Sequence, residues 1–236
     1  MPVALVTGAA KGIGRALLLA LAGAGYDAAV HYRSSAGEAE RVAEEARANG
    51  VRAETFQADI TRPDEAELLI RRVHDLLGGP DVLVNNVGNY HQGPLDELDI
   101  ATWHEMFDSN LHGTFYLCRA AVPFMRRAGR GQIINLGFAG SEYLKARPSI
   151  APYAIAKTGV ILYSKALAKT VAKDGVTVNV VSPGVMENSV AQPVSEIPLG
   201  RTGTLQELSR AVLYLASDEA AYLTGVTLEV AGGWNL

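Results

Sequence analysis

Tyr153 and Lys157 lie four residues apart in the sequence "YAIAK", within a helix predicted at residues 151–173. That spacing places both side chains on one face of the helix. A tyrosine titrates at about pH 10 and is a weak acid at neutral pH, but a nearby ammonium favours the phenolate and lowers that pKa. We therefore predict that Tyr153 is a general acid toward a carbonyl oxygen and that Lys157 lowers its pKa. The alternative is an ordinary pair of surface side chains on a helix.

The sequence "TGAAKGIG" predicts a binding site for a phosphate group. It follows the first predicted strand and opens the first predicted helix. Glycines in this context let the backbone approach a pyrophosphate, which binds at the helix N-terminus. The spacing Gly8-x-x-x-Gly12-x-Gly14 has one more residue in its first gap than the GxGxxG form. A plain strand–turn–helix junction is the alternative, and the βαβ context favours dinucleotide binding.

The end of the second predicted strand, "HYRSSA", indicates which dinucleotide binds. An NAD site places Asp or Glu there for the ribose 2′-hydroxyl. This chain instead has Arg33, Ser34 and Ser35, and Lys11 adds a second cation from the glycine loop. Cations and hydroxyls suit a 2′-phosphate, so we predict NADP(H) as the cofactor. An ordinary solvated turn with a basic residue is the alternative.

These residues must be positioned by strands and helices that alternate along the whole chain. Branched, apolar runs predict seven strands, and the longer patterns between them predict helices at about 13–24, 36–49, 63–77, 101–127, 151–173 and 204–216. Strict alternation predicts an α/β fold: a Rossmann-like, doubly wound parallel sheet of about seven strands with helices on both faces. We expect one domain over residues 1–236, and we expect the stretch 183–203 to be a substrate flap rather than a plain surface loop.

Composition limits the classes of partner and compartment. The 236 residues have a formal net charge of -4 and a pI near 5.8, which gives no reason to expect nucleic acid or an anionic membrane. The single cysteine, Cys118, excludes an internal disulfide and lies in an apolar stretch that predicts a packed thiol. The five histidines show no metal-ligand spacing. Because the first strand begins almost at residue 1, we predict no signal peptide and a cytoplasmic protein.

Over nearly its full length the chain resembles the short-chain dehydrogenase/reductase family. The resemblance is carried in order by "TGAAKGIG", "ADI" at 58–60, "NNVG" at 85–88, Asn110 in "SNLHG", "YAIAK" at 153–157 and "SPG" at 182–184. The stretches "IPLGRTG" and "YLTGVTLEVAGGWNL" are most similar to the 3-oxoacyl-(acyl-carrier-protein) reductase branch. Tyr-x-x-x-Lys alone occurs by chance in many helices, whereas the six motifs together do not.

The resemblance implies a role for each matching residue. Lys157 would also hold the nicotinamide ribose, and Asn110 would order a water that relays protons to Lys157. Val87 stands where the family more often has Ala, and Asn188 stands where it has Thr. The remaining implied cofactor contacts are Gly8, Gly12, Ile13 and Gly14 to the pyrophosphate and adjoining ribose, Asp59 and Ile60 to the adenine, Asn86, Val87 and Gly88 to the adenosine and ribose region, and Pro183, Gly184 and Val185 to the nicotinamide.

The family also has a serine just after the fifth strand, and this chain departs from that pattern. Alignment on "IINLG" puts Phe138 at the position, and counting back from the tyrosine puts Gly140 there. A carbonyl oxygen that gains charge needs more than one hydrogen bond, so we expect the segment 138–142 to bring Ser141 into the site as the second donor. Phe138 would then be an apolar wall of the pocket. Glu142 is the second candidate for this donor. A third alternative is that no residue replaces the serine.

The expected function is NADPH-dependent reduction of a ketone or 3-oxoacyl thioester. Two alternatives stay open: reduction of a pteridine or another small carbonyl, and a catalytically weak NADP-binding sensor. The expected substrate is a small molecule or a thioester-linked carbonyl compound. The family pairs the helices at 101–127 and 151–173 across subunits, so the resemblance also implies a homo-oligomer, a dimer or a homotetramer.

Overall fold

Seven strands alternate with seven α-helices in the computed structural model, which describes residues 1–235. The strands are β1 Val3–Val6, β2 Asp27–Tyr32, β3 Ala53–Gln57, β4 Val82–Asn85, β5 Gly131–Leu136, β6 Val176–Pro183 and β7 Thr227–Val230. The helices are α1 Gly12–Gly23, α2 Ala36–Arg47, α3 Pro63–Leu77, α4 Ile100–Phe107, α5 Gly113–Ala128, α6 Ala151–Val171 and α7 Leu205–Ala216. Short 3₁₀ turns join several of these elements.

All the strands pair in parallel, in the order β3-β2-β1-β4-β5-β6-β7. Helices α1, α2 and α7 cover one face of the sheet, and α3, α5 and the end of α6 cover the other. Burial on both faces is why the strand sequences are apolar runs rather than alternating ones. The predicted doubly wound fold is confirmed. Strand order reverses between β1 and β4, and in such sheets ligands bind at the carboxyl ends of the strands beside that reversal.

The helix predicted at 101–127 is divided into three parts. A π-helical turn, Asp108–His112, separates α4 from α5. Within it the Asn110 side-chain amide donates to the Met106 carbonyl one turn earlier, at 3.0 Å. A π-turn widens the helix by one residue without breaking it, so the apolar pattern continues through and the sequence does not reveal it.

A buried polar chain fixes α6 against the sheet. The Asn85 amide of β4 donates to the Asn135 side chain of β5 at 2.8 Å, and the Asn135 amide donates to the Ser164 hydroxyl of α6 at 2.8 Å. Asn85 also donates to Cys118, whose thiol is fully buried, and burial raises its pKa to about 12. The prediction of a packed cysteine is therefore confirmed. Because these hydrogen bonds are made only in one register, they set where the first turns of α6 lie relative to the strand ends.

The stretch 183–203 leaves β6 and returns along the C-terminal segment. Met186 and Gly203 form an isolated parallel bridge, and the Leu199 N–H donates to the Gly232 carbonyl at 3.1 Å. The segment is therefore held at both ends beside the carboxyl ends of β6 and β7. None of the helices within residues 1–235 combines the length and apolar character needed to cross a membrane.

Candidate active site

The glycine loop between β1 and α1 adopts backbone conformations that only glycine takes easily. Gly8 and Gly12 have φ of 64° and 55°, in the left-handed region. A Cβ atom on Gly14 would collide with the Gly8 carbonyl oxygen. Lys11, the N-cap of α1, makes no side-chain cap, so its side chain leaves the first N–H groups of the helix available to an anion. The loop therefore fits a pyrophosphate.

Asn86 braces this loop from the neighbouring strand. Its side-chain amide donates to the Thr7 carbonyl at 2.9 Å, while its backbone N–H and that of Val87 donate to the Thr7 hydroxyl at 2.9 and 3.1 Å. The amide nitrogen also approaches the Cα of Gly14 closely enough to exclude a side chain there. The hydrogen bonds of Asn86 thus join the ends of β1 and β4 beneath the glycine loop.

His31 is a site residue that the sequence did not single out. It is 2% exposed and joins three strand ends. Its Nδ1 accepts from the Gly8 N–H at 3.0 Å, which requires the proton to be on Nε2, and Nε2 then donates to the Ala58 carbonyl at 3.1 Å. Burial lowers the pKa of His31 to about 4, so the ring is neutral at neutral pH. The one signal in the sequence that could have indicated this role was a histidine within the apolar strand "DAAVHY".

A cavity of about 230 Å³ lies beside His31 and brings together residues from four strand ends. Seven predicted cofactor residues line it: Gly8, Lys11, Arg33, Ser34, Asp59, Ile60 and Val87. Its size and position fit an adenosine, and its cations lie at the edge where a phosphate would bind. Lys11 is not an isolated charge, however, because its Nζ lies 3.0 Å from Oε1 of Glu38 on α2.

The segment after β6 completes the opposite end of the site. The Gly184 N–H donates to the Val230 carbonyl at 3.0 Å, and a Cβ on Gly184 would collide with Ala231. Asn188, further along the same segment, places its amide nitrogen 3.6 Å from the position of a Cβ on Gly12. The structure therefore brings Asn188, which replaces the family's threonine, against the glycine loop.

Lys157 and Asn110 meet over Gly88, between β4 and β5. A Cβ on Gly88 would collide with Asn110 Oδ1 and lie 3.2 Å from Lys157 Nζ. Lys157 donates to the Leu136 carbonyl at 2.8 Å. Asn110 Nδ2 donates to the Asn89 carbonyl at 2.9 Å, whereas its Oδ1 is buried with no hydrogen-bond partner among residues 1–235. An acceptor with a free lone pair thus lies close to the Lys157 amine.

Tyr153 lies beside this pair, with Lys157 Nζ 5.9 Å from the centre of its ring. The expectation that Lys157 lowers the pKa of Tyr153 is wrong for this structure. Burial raises the pKa of Tyr153 because it removes the water that would solvate the phenolate, and the neighbouring Tyr90 raises it further. The Lys157 amine, 5.9 Å from the ring centre, does not offset this rise. Burial also lowers the pKa of Lys157 to about 8. The phenol is therefore held in its protonated form at neutral pH.

Aromatic side chains surround Tyr153. The Phe138 ring lies edge-on at 5.4 Å and the Tyr90 ring edge-on at 5.1 Å, measured between ring centroids. Phe138 also contacts Trp234 at 5.9 Å. Phe138 thus packs directly against Tyr153, and its expected role as an apolar wall of the substrate pocket stays a prediction. The predicted donor Ser141 is 4% exposed, and its hydroxyl has no hydrogen-bond partner within residues 1–235.

Comparison with known proteins places this site in a family. A family model described as "Enoyl-(Acyl carrier protein) reductase" matches residues 8–235. The chain is 39% identical to the 3-oxoacyl-(acyl-carrier-protein) reductase FabG of Staphylococcus aureus, covering 98% of this chain and 96% of that protein. It is 36% identical to the FabG of Escherichia coli, with the same coverage.

Solved structures agree in fold. The crystal structure of a putative short-chain alcohol dehydrogenase from Sinorhizobium meliloti has a TM-score of 0.93 and 31% identity, covering 99% of this chain and 96% of that one. A blue fluorescent protein from a metagenomic library, crystallised in complex with NADPH, has a TM-score of 0.91 and 31% identity, covering 100% and 98%. The chain belongs to the short-chain dehydrogenase/reductase family. It is an oxidoreductase that acts on carbonyl or hydroxyl groups.

Proposed function

We propose that this protein is an NADPH-dependent reductase that converts a ketone or a 3-oxoacyl thioester to the alcohol. The observation that carries the proposal is the meeting of Lys157 and Asn110 over Gly88, with the protonated Tyr153 beside them. The names of the similar curated proteins support the 3-oxoacyl thioester as the substrate class.

The cofactor assignment rests on residues that fit each part of NADPH. The loop of Gly8, Gly12, Ile13 and Gly14 would hold the pyrophosphate, and Lys11, Arg33 and Ser34 would hold the 2′-phosphate. The adenosine would lie against Asp59, Ile60 and Val87 in the cavity beside His31. The adenosine and ribose region would also be lined by Asn86 and Gly88. Lys157 would hold the nicotinamide ribose, and the nicotinamide would lie against Pro183, Gly184 and Val185. NADPH, when bound, supplies the hydride.

Tyr153 would supply the proton from its phenol oxygen to the substrate oxygen. The phenol is protonated at neutral pH and would give up its proton as the substrate oxygen gains negative charge. Lys157 has a pKa of about 8, so near neutral pH it can both release and take up a proton. Asn110 Oδ1 would hold the next carrier in a relay that reprotonates Tyr153.

One feature favours a second substrate class. The family's serine position falls on Phe138 when the chain is anchored on "IINLG" and on Gly140 when counted back from Tyr153, and neither residue has a side chain that can donate a hydrogen bond. Loss of one such donor costs about 10²–10³ in rate by analogy with oxyanion holes, a loss that an activated small carbonyl or a pteridine would tolerate better. A catalytically weak NADP-binding sensor is the limiting case of the same loss.

The proposed assembly is a homo-oligomer, a dimer or a tetramer. Phe115 of α5 and Leu162 of α6 are 41% and 70% exposed, and Ile155 of α6 is half exposed. Apolar side chains on two long neighbouring helices support pairing between copies of the chain. Sedimentation of the unmodified protein and of Leu162→Glu tests this, because the variant should be of lower mass.

The function is tested by following NADPH oxidation with a panel of acetoacetyl thioesters, simple ketones, quinones and dihydropterins. Turnover of thioesters or ketones supports the leading proposal, and turnover confined to dihydropterins or quinones supports the second class. Tight NADPH binding with no turnover across the panel would contradict both and favour the sensor.

A further inference from the structure

Phe138 packs against the Tyr153 ring, and its own ring has no group that could donate a hydrogen bond to a substrate oxygen. Besides Tyr153 and Trp234, it packs under Arg147, whose Cζ lies 5.2 Å from the ring centre. Three neighbours hold the Phe138 ring in place. Another residue of the segment 138–142 could therefore reach this position only if the segment rearranged. A second hydrogen bond must come from elsewhere.

Glu142 is directed toward another part of α6. Its carboxylate lies 2.6 Å from Lys165 Nζ, and Lys165 is about three turns beyond Tyr153 along the helix. This ion pair occupies the carboxylate.

Ser141 also faces a different side of α6. Its carbonyl accepts from the Thr158 hydroxyl at 3.1 Å, and it lines a cavity with Ala154 and Thr158. At 3.6 residues per turn, Thr158 points about 140° around the helix from Tyr153. The Ser141 backbone is therefore tied to a helix face that does not present the phenol, and its hydroxyl is buried without a hydrogen-bond partner within residues 1–235.

Tyr90, which follows β4, also packs against Tyr153. Their rings meet edge-on at 5.1 Å, and Tyr90 is 58% exposed. Its hydroxyl has one weak interaction, a 3.4 Å contact to the exposed Gln92 side chain. The Tyr90 hydroxyl can thus exchange a poor partner for a better one at little cost.

The backbone before Tyr90 is fixed by the same π-turn that carries Asn110. The Asn89 N–H donates to the Ser109 hydroxyl at 3.2 Å, and the Asn89 carbonyl accepts from Asn110 Nδ2 at 2.9 Å. The position of Tyr90 is therefore coupled to the catalytic end of the site rather than left to a free loop.

We propose that Tyr90 donates the second hydrogen bond to the substrate carbonyl oxygen, in place of the serine that this chain lacks. The oxygen is held between two phenols: Tyr153 transfers its proton to it, and Tyr90 keeps its own and stabilises the developing charge. This inference rests on the proposed function, since it assigns a role in carbonyl reduction.

The test is steady-state reduction of the best carbonyl substrate by Tyr90→Phe, which keeps the ring and removes only the hydroxyl. We expect kcat to fall at least about tenfold, as for loss of one oxyanion donor, while the NADPH dissociation constant changes less than about twofold. Tyr143→Phe is the matched control: Tyr143 is 46% exposed in the loop after Ser141, and its variant should keep full turnover.

A rescue variant separates a hydrogen-bonding role from a structural one. Phe138→Ser in the Tyr90→Phe background places a different hydroxyl beside Tyr153 and should restore part of kcat. Ser141→Ala, assayed in parallel, should keep near-normal turnover. A normal kcat in Tyr90→Phe, or a tenfold loss in Ser141→Ala without one in Tyr90→Phe, would overturn the inference. Absence of turnover in the unmodified protein would instead overturn the proposed function on which it rests.

Discussion

Lys11 Nζ lies 3.0 Å from Glu38 Oε1, so one of the two cations expected to hold a 2′-phosphate is already paired with a carboxylate. Both side chains are exposed, and an exposed ion pair of this kind contributes little to stability because water and salt screen it. The pair can therefore open for a phosphate, but Glu38 competes with that phosphate for Lys11.

Glu38→Gln should raise the affinity for NADPH. Removing the competing carboxylate frees Lys11, and the size of the ion pair limits the gain to about fivefold. Titration with 2′,5′-ADP and with 5′-ADP measures the effect without turnover. Only 2′,5′-ADP, which carries a 2′-phosphate, should bind more tightly to the variant. Glu40→Gln, two residues along α2 and paired with Arg47, is the matched control. Equal gains for both nucleotides would show that Glu38 does not act on the phosphate.

Arg33→Ala should weaken NADPH binding far more than NADH binding. Arg33 lines the cavity beside His31 and is the cation nearest the end of β2, where an NAD site would have an acid. Dissociation constants for the two cofactors give the ratio directly. Arg41→Ala, an exposed arginine of α2, should leave that ratio unchanged. Equal affinity of the unmodified protein for both cofactors would contradict the assignment of NADPH.

Tyr153→Phe should lose most turnover while NADPH binding stays nearly normal, because the phenol acts on the substrate. Lys157→Ala should harm both, since its ammonium lies near the phenol and is expected to hold the ribose. Turnover and cofactor affinity are measured for each variant, with Lys165→Ala, an exposed lysine of the same helix, as the control. Near-normal turnover in Tyr153→Phe would mean that the proton comes from another group.

His31 should make stability depend on pH. Its pKa is about 4 in the folded chain, below the value of about 6.5 for an unperturbed histidine, so the folded state binds fewer protons between those values. Stability is therefore fully present above about pH 6.5 and is lost as the pH falls toward about 4. Between pH 7.5 and 5.5 the contribution is on the order of 1 kcal/mol.

Urea unfolding at these two pH values measures that loss. His31→Gln, which has no titratable ring, should lose less stability than the unmodified protein over the interval. His104→Gln, an exposed histidine of α4, should behave like the unmodified protein. An identical loss in His31→Gln would assign the pH dependence to other groups.

The sequence by itself determined the fold class, the order of strands and helices, the position of the glycine loop, and the placement of Tyr153 and Lys157 one turn apart on one helix. These features depend on local patterns: the period of apolar residues, the backbone freedom of glycine, and the spacing of one helical turn. They can be read from neighbouring residues because each is set by the geometry of a single element.

Only the tertiary structure decided which distant side chains meet. His31 reaches Gly8 and Ala58, Glu38 reaches Lys11, and Tyr90 meets Tyr153, although no local pattern links the members of any of these groups. The pKa of Tyr153 was predicted with the wrong sign for the same reason. Spacing showed the ammonium one turn away, whereas the amount of water removed from the phenol depends on rings contributed by other strand ends.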